Sequence, residues 1–249
     1  MIERVKTGIQ GLDELMGGGI PKGSLVLLSG LTGSGKTILA LQYLINGVKR
    51  NEKGVFISFE QTKNDIVTQA ACFGWDLESF EKSGMLKVVV FRPSKIHFAT
   101  LNEEIERVVR EENASRLVLD SISTYGVYAE NISSIEMLEM MGVKDEGVNI
   151  APTAESATRK AIITIIETIK SMGTTSLVIS ELPESTNFLS RDTISEFLAD
   201  GVVLLKHVPI GDTLNRSIEV RKMRQTSIQE GTRSYTITSD GIMIEAKEK

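Results

Sequence analysis

The sequence predicts an α/β fold: a mostly parallel sheet with helices on both faces and antiparallel strands at the C-terminal end. Three observations carry this. A short apolar run, Ser24–Ser29, is followed by a glycine-rich loop and a helix-like stretch, Ile38–Ile45. Further strand-type runs then alternate with segments of helical spacing. From Asn215 the tail switches to apolar–polar alternation broken by turn formers.

In chain order, residues 1–23 read as a lead-in, a short helix-like piece between Thr7-Gly8 and Gly17-Gly18-Gly19. The first core strand, at 24–29, feeds the loop and its helix. Gly54–Phe59 is a second strand, and Asn64–Phe73 has helical spacing with Asp65 near its start. Strands at Leu86–Phe91, Arg116–Asp120, Thr175–Ser180 and Gly201–Lys206 alternate with helices at 101–112 and 155–172. Asn215–Arg224 and Arg233–Ile244 form the antiparallel end, with turns at Glu230-Gly231 and Asp240-Gly241. A chain of 249 residues builds one such domain with a substantial core, so 1–249 is taken as a single domain.

The formal net charge is −5, which offers no overall attraction to nucleic acid or to an anionic membrane. Ala129–Glu155 carries six acidic residues and one lysine, so this stretch accounts for the whole charge and stands out as an acidic insertion. It is either functional or a solvated helical cover around Ile135–Met141. No apolar run approaches the ~20 residues of a membrane span, and Met-Ile-Glu-Arg-Val-Lys has no signal-type hydrophobic stretch. The expectation is a cytoplasmic protein without membrane contact. Cys72, the single cysteine, is read as a small buried hydrophobe, and Trp75 as a core filler. His97 and His207 have no neighbouring metal-type partners.

Chemistry concentrates in Gly30, Leu31, Thr32, Gly33, Ser34, Gly35, Lys36 and Thr37, which fit the phosphate-loop pattern G-x-x-x-x-G-K-[ST] in the required strand–loop–helix context. Glycines let the backbone N–H groups curl around phosphate oxygens, and the helix start adds its positive end. Lys36 reaches the β/γ-phosphates, and Thr37 offers a hydroxyl to Mg²⁺. The ligands expected from the loop are therefore a nucleoside triphosphate and Mg²⁺. Asp120, ending the apolar strand Arg116–Asp120, matches the acid that helps hold the metal. Glu60, ending the strand after the loop helix, is the candidate to orient or deprotonate the attacking water, against the alternative of a solvent-facing or helix-capping acid.

Seven segments then resemble one family: Thr7-Gly-x-x-Gly-Leu-Asp13, Gly18-Gly-Ile-Pro21, GLTGSGKT, Phe59-Glu-Gln-Thr62, Phe73-Gly-Trp75-Asp-Leu77, Leu119-Asp-Ser121 and Val220-Arg-Lys-Met-Arg-Gln-Thr226. Together they resemble the KaiC-type branch of the RecA-like ATPases, with one such domain over nearly the whole chain. The resemblance implies a RecA-like fold in a homo-oligomer, a hexameric ring, with ATP held between subunits. It also implies that Lys222 and Arg224 reach across to the neighbour's nucleotide, beside Met223, Thr226 and Thr238. By itself, Arg221–Arg224 on a strand reads as a solvated charged edge. Gln61 replaces the second carboxylate of the family's paired acids, and Ile228 stands where a histidine is usual. Ser180-Glu181 falls where RecA-like proteins sense nucleotide state, or simply caps a strand.

Three functions follow. The first is a Mg²⁺-dependent ATPase acting as a nucleotide-driven regulatory switch, with an unidentified protein partner. The second is a DNA-stimulated, recombinase-like ATPase; Leu182–Leu198, a net −2, opposes it because phosphate binding needs Lys/Arg clusters. The third is an ATP-dependent scaffold or autokinase in which Gln61 has weakened hydrolysis.

Overall fold

Residues 2–23 fold as a bracket on the body rather than a plain lead-in. Strand β1 (Arg4–Val5) pairs antiparallel with β2 (Ile20–Pro21), and the four-residue helix α1 (Leu12–Leu15) lies between them. Strands of two residues are below what periodicity can detect. This computed structural model describes residues 2–92, 98–130, 153–184, 188–210 and 213–245. His97 and all but the ends of the acidic insertion expected at 129–155 lie outside them.

The first core strand is β3 (Leu25–Leu31), followed by α2 (Lys36–Val48). Then come β4 (Gly54–Ser58), α3 (Lys63–Ala71), α4 (Leu77–Lys82), β5 (Leu86–Val90), α5 (Phe98–Glu111), β6 (Arg116–Asp120) and α6 (Ile122–Glu130). The remainder is α7 (Ala154–Ser171), β7 (Thr175–Leu182), α8 (Ser195–Leu198), β8 (Gly201–Ile210), β9 (Thr213–Met223), β10 (Arg233–Thr238) and β11 (Gly241–Ile244). Helices α4, α6 and α8 are additions to the sequence reading. Asp76 starts α4 by accepting from the Ser79 amide at 3.0 Å.

Nine strands form one sheet in the order β11-β10-β9-β8-β3-β7-β6-β4-β5. The six from β8 to β5 are parallel, and β9, β10 and β11 extend it antiparallel. Both faces of β3 are buried because its side chains alternate between two apolar layers. Val26 and Leu28 join the layer containing Leu39, Tyr43 and Ile242, whereas Leu25 and Leu27 join Ile162, Ile166 and Leu119. The predicted mostly parallel sheet with a C-terminal antiparallel end is what the chain forms.

Trp75 is 7% exposed and stacks on Phe73 with ring centroids 4.9 Å apart. Cys72 corrects the sequence reading: it is exposed at the C-terminal cap of α3, its Sγ 3.4 Å from the Thr68 carbonyl. The apolar stripe of α3 is set by Ile66 and Ala70, and position 72 falls off that stripe.

Among the buried charged side chains, Arg116 lies deepest. Arg116 is fully buried and donates to Glu52, to the Tyr43 carbonyl at 2.8 Å and to the Lys6 carbonyl at 2.8 Å. Its guanidinium sits 4.5 Å from the centroid of the Tyr43 ring. The contact joins β6, α2 and the N-terminal bracket.

Candidate functional site

The loop between β3 and α2 lies at the C-terminal end of the parallel strands, where open α/β sheets bind ligands. Gly30 must be glycine because a Cβ there would stand 2.4 Å from the Leu205 carbonyl oxygen of β8. Gly35 has φ +87° and precedes α2 without a side-chain cap, so the first N–H groups of the helix are left for a ligand. Ser34 Oγ and Lys36 Nζ both donate to the Leu31 carbonyl, at 2.7 and 3.0 Å. Tyr235 on β10 donates its hydroxyl to the Ser34 carbonyl, and Ile237 packs beside Gly35. The end of the chain thus buttresses the loop.

Around this loop lies a cleft of about 280 Å³ lined by Thr32, Gly33, Gly35, Lys36, Thr37, Ile38, Glu60, Gln61, Gln69, Asp120, Glu181 and Ile237. Sheet order explains the convergence: β3, β7, β6 and β4 are consecutive neighbours, so the residues at their C-terminal tips meet. Thr37 donates its hydroxyl to Asp120 Oδ2 at 2.8 Å. Glu60 accepts from Ser121 and Thr124, which hold its carboxylate toward the cleft. The turn carrying Glu60 is fixed by Ser58, whose Oγ takes the amides of Glu60 and Gln61 at 3.2 and 3.0 Å. Glu181, on β7, lies 3.6 Å from Lys36 Nζ.

The electrostatics are those of an anion-rich pocket with one buried cation. Lys36 is 5% exposed, and burial pulls its pKa down against the opposing pull of Glu181, Asp120 and Glu60. Asp120 is 3% exposed; burial first, then repulsion from Glu60, raise its pKa to about 7 although Thr37 and Lys36 oppose this. A carboxylate held uncomfortably beside a hydroxyl is an all-oxygen donor pair suited to a hard divalent cation. No cluster of three or more His, Cys, Asp or Glu among the described residues is arranged to hold a metal by protein ligands alone. A larger cavity, about 530 Å³, lies between α3 and α4, but its charges pair with each other, Lys63 with Glu81 at 2.8 Å and Lys82 with Glu78 at 3.9 Å.

The remaining candidates are not in this cleft. Met223 pairs with Gly201, and Gly201 with Val26 near the start of β3. The loop begins at the other end of β3, about 16 Å away at ~3.3 Å per strand residue. Lys222 caps α8, donating to the carbonyls of Glu196, Phe197 and Ala199 at 2.9, 3.2 and 2.7 Å. Burial lowers its pKa, with Arg224 adding to the effect. Arg224 is half exposed and reaches Asp200 Oδ1 at 3.2 Å. Met223 is 5% exposed and packs into the core, and Thr226 accepts from Arg4 at 2.9 Å. Thr238 is parted from this group; it closes the β10–β11 turn by donating to the Gly241 carbonyl at 3.0 Å.

Sequence reasoning missed Ser121 and Thr124 as the holders of Glu60, and Tyr235 and Ile237 as the outer wall. Tyr235 and Ile237 stand two apart on a strand, and that shared face was the available signal. Of Ser180-Glu181, weighed together as a sensor, Ser180 accepts the Arg191 amide at 3.3 Å and Glu181 lies 3.6 Å from Lys36 Nζ.

A family model described as "ATPase: KaiC" matches residues 5–142 and 143–249. The circadian clock oscillator proteins KaiC of Picosynechococcus sp. and Nostoc sp. are 31% and 30% identical, each over 98% of this chain. The chain spans 44% of the length of these two curated relatives. The crystal structure of a KaiC-like protein from the hyperthermophilic archaeon Pyrococcus horikoshii OT3 superposes with a TM-score of 0.82 at 32% identity. That match covers 99% of this chain and all of the other. No described helix is long and apolar enough to cross a membrane.

Proposed function

The chain belongs to the KaiC family of ATPases, and from that premise we propose that it hydrolyses ATP with Mg²⁺ at sites completed by a second copy, as a regulatory ring whose contacts follow the nucleotide. One observation carries the reading. Lys36, Thr37, Glu60 and Asp120 share a cleft, whereas Lys222 and Arg224 stand at the opposite end of the same sheet. A cleft holding three carboxylates and one buried lysine lacks the cations that phosphoryl transfer needs, and an arginine from a neighbour is a recurrent source of them.

Each residue then has a task. The uncapped start of α2 and the 30–37 backbone hold the phosphates, and Lys36 leaves Glu181 for the β/γ-oxygens. Thr37 and Asp120 would hold Mg²⁺, which neutralises charge on the β- and γ-phosphates when bound. Glu60, fixed by Ser121 and Thr124, orients the attacking water and takes its proton. From the adjoining copy, Arg224 neutralises charge developing on the γ-phosphate, with Lys222 beside it. A single domain of this fold with a cytoplasmic location completes the proposal.

The test is native mass and phosphate release, with and without ATP and Mg²⁺. Phosphate release that requires both Lys36 and Arg224, in a species larger than one subunit, supports the reading. Release from a monomer, or from Arg224→Ala at the wild-type rate, refutes it. Label from γ-labelled ATP retained on the protein would mark the autokinase instead.

A further inference from the structure

The N-terminal bracket does something the ATPase reading leaves unused. Arg4, on β1, forks across two segments that are more than two hundred residues apart in the chain. One nitrogen donates to the Gly19 carbonyl at 2.9 Å, to Thr226 Oγ1 at 2.9 Å and, longer, to the Met16 carbonyl at 3.3 Å. The other donates to the Gln225 carbonyl at 3.0 Å. Among the described residues Arg4 forms no ion pair, so its guanidinium is committed to these neutral acceptors.

The segment it grips is a sharp reversal. Gln225 has φ +58°, the left-handed region that a residue with a side chain occupies only under tertiary constraint. Thr226 closes the same turn by donating to the Arg224 carbonyl at 3.2 Å. Three residues further on, the chain is still docked to the bracket, because the Gln229 amide donates to the Leu15 carbonyl at 2.9 Å. Gly17 leaves room for this: a Cβ there would lie 3.2 Å from the Ser227 carbonyl oxygen.

We propose that Arg4 is a positioning residue for the reaction in the neighbouring copy's cleft. By clamping Gln225 and Thr226 onto the Met16–Gly19 turn, it fixes the direction in which the half-exposed Arg224 side chain leaves the sheet. This rests on the reading that Arg224 acts in trans. A guanidinium is suited to the task because its planar fork reaches acceptors on two segments at once, which an ammonium on a flexible stem does not.

Arg4→Ala should lower kcat about 10- to 100-fold while leaving KM for ATP within about twofold, because it displaces a group acting in the transition state and spares the cleft. Arg4→Lys should recover part of the rate. The discriminating measurement is mixed assembly by co-expression of two differently tagged subunits. Arg4→Ala subunits keep their own cleft, and Lys36→Ala subunits keep their own Arg224 and bracket. In an equimolar mixture about a quarter of head-to-tail interfaces join an intact cleft to an intact arginine, so about a quarter of the wild-type rate should return. Arg224→Ala mixed with Lys36→Ala is the control. Recovery in both mixtures supports the proposal. Recovery in the control alone, or a wild-type rate from Arg4→Ala by itself, overturns it. No recovery in the control removes the trans reading and this inference with it. If Arg4→Ala does not fold, Thr226→Val removes one acceptor and carries the same mixture test.

Discussion

Replacing Asp120 with asparagine should make the metal-free protein more stable while removing its metal-dependent function. Asp120 is almost fully buried, and its pKa is raised from 3.8 to about 7. A folded-state pKa above the unfolded value means that the native state binds the proton more tightly. The associated stability is present below about pH 4 and lost as pH rises toward 7. Above that, the wild type carries the full cost, roughly 4 kcal/mol for a shift of about three units. Asparagine keeps an oxygen for the 2.8 Å bond from Thr37 and has no charge to desolvate. Water reaching the cleft takes back part of the gain, so about 2–4 kcal/mol is expected at pH 8. Urea unfolding in EDTA, with linear extrapolation, measures it. Linkage also sets the pH dependence: the gain should shrink by about 1.4 kcal/mol between pH 8 and pH 6. An Asn variant no more stable than wild type at pH 8, or a gain that does not change with pH, would refute the argument. With Mg²⁺ present, the Asn variant should bind ATP more weakly than the wild type.

Three further outcomes are expected. Glu60→Gln should keep ATP affinity within a fewfold and lower phosphate release about 10²- to 10⁴-fold, the usual contribution of a general base, read by single-turnover hydrolysis. Gly35→Ala forces a Cβ into a φ of +87°, 3.1 Å from Ile237 Cδ1; it should abolish nucleotide binding in a titration with a fluorescent ATP analogue while the far-ultraviolet spectrum is retained. Arg116→Met should cost about 3–5 kcal/mol, because it strands the Tyr43 and Lys6 carbonyls and removes Glu52's buried partner; a loss under about 1 kcal/mol in urea would show that the pair is dispensable.

The parallel body was legible because its strands are buried on both faces, and continuous apolar runs such as Leu25–Leu28 advertise that. The cleft was legible in part for the same reason. Once Gly30–Thr37 and Asp120 sit at strand tips, neighbouring strands bring them together. What could not be read was anything depending on sheet order. Nothing local in Lys222–Arg224 says that β9 turns back alongside β8 and ends level with the start of β3, away from the loop. The β1–β2 bracket escaped because its strands are too short for any period. Cys72 was misplaced by composition: free cysteines are usually buried, but the stripe of its own helix put it outside.

Tyr235 and Ser34, joined by one hydrogen bond, are separated by 201 positions in the chain. At ~5–20 residues per second, a ribosome delivers the tyrosine about 10–40 s after the serine. During that interval the glycine loop is already made but its outer wall is not, and for most of it β3 still lacks β8 on one edge. A nascent chain therefore holds the whole signature sequence without the pocket that gives it meaning. On the proposed reading of this cleft, capture of nucleotide is expected to be a late event in synthesis, after Tyr235 and Ile237 have arrived beside the loop.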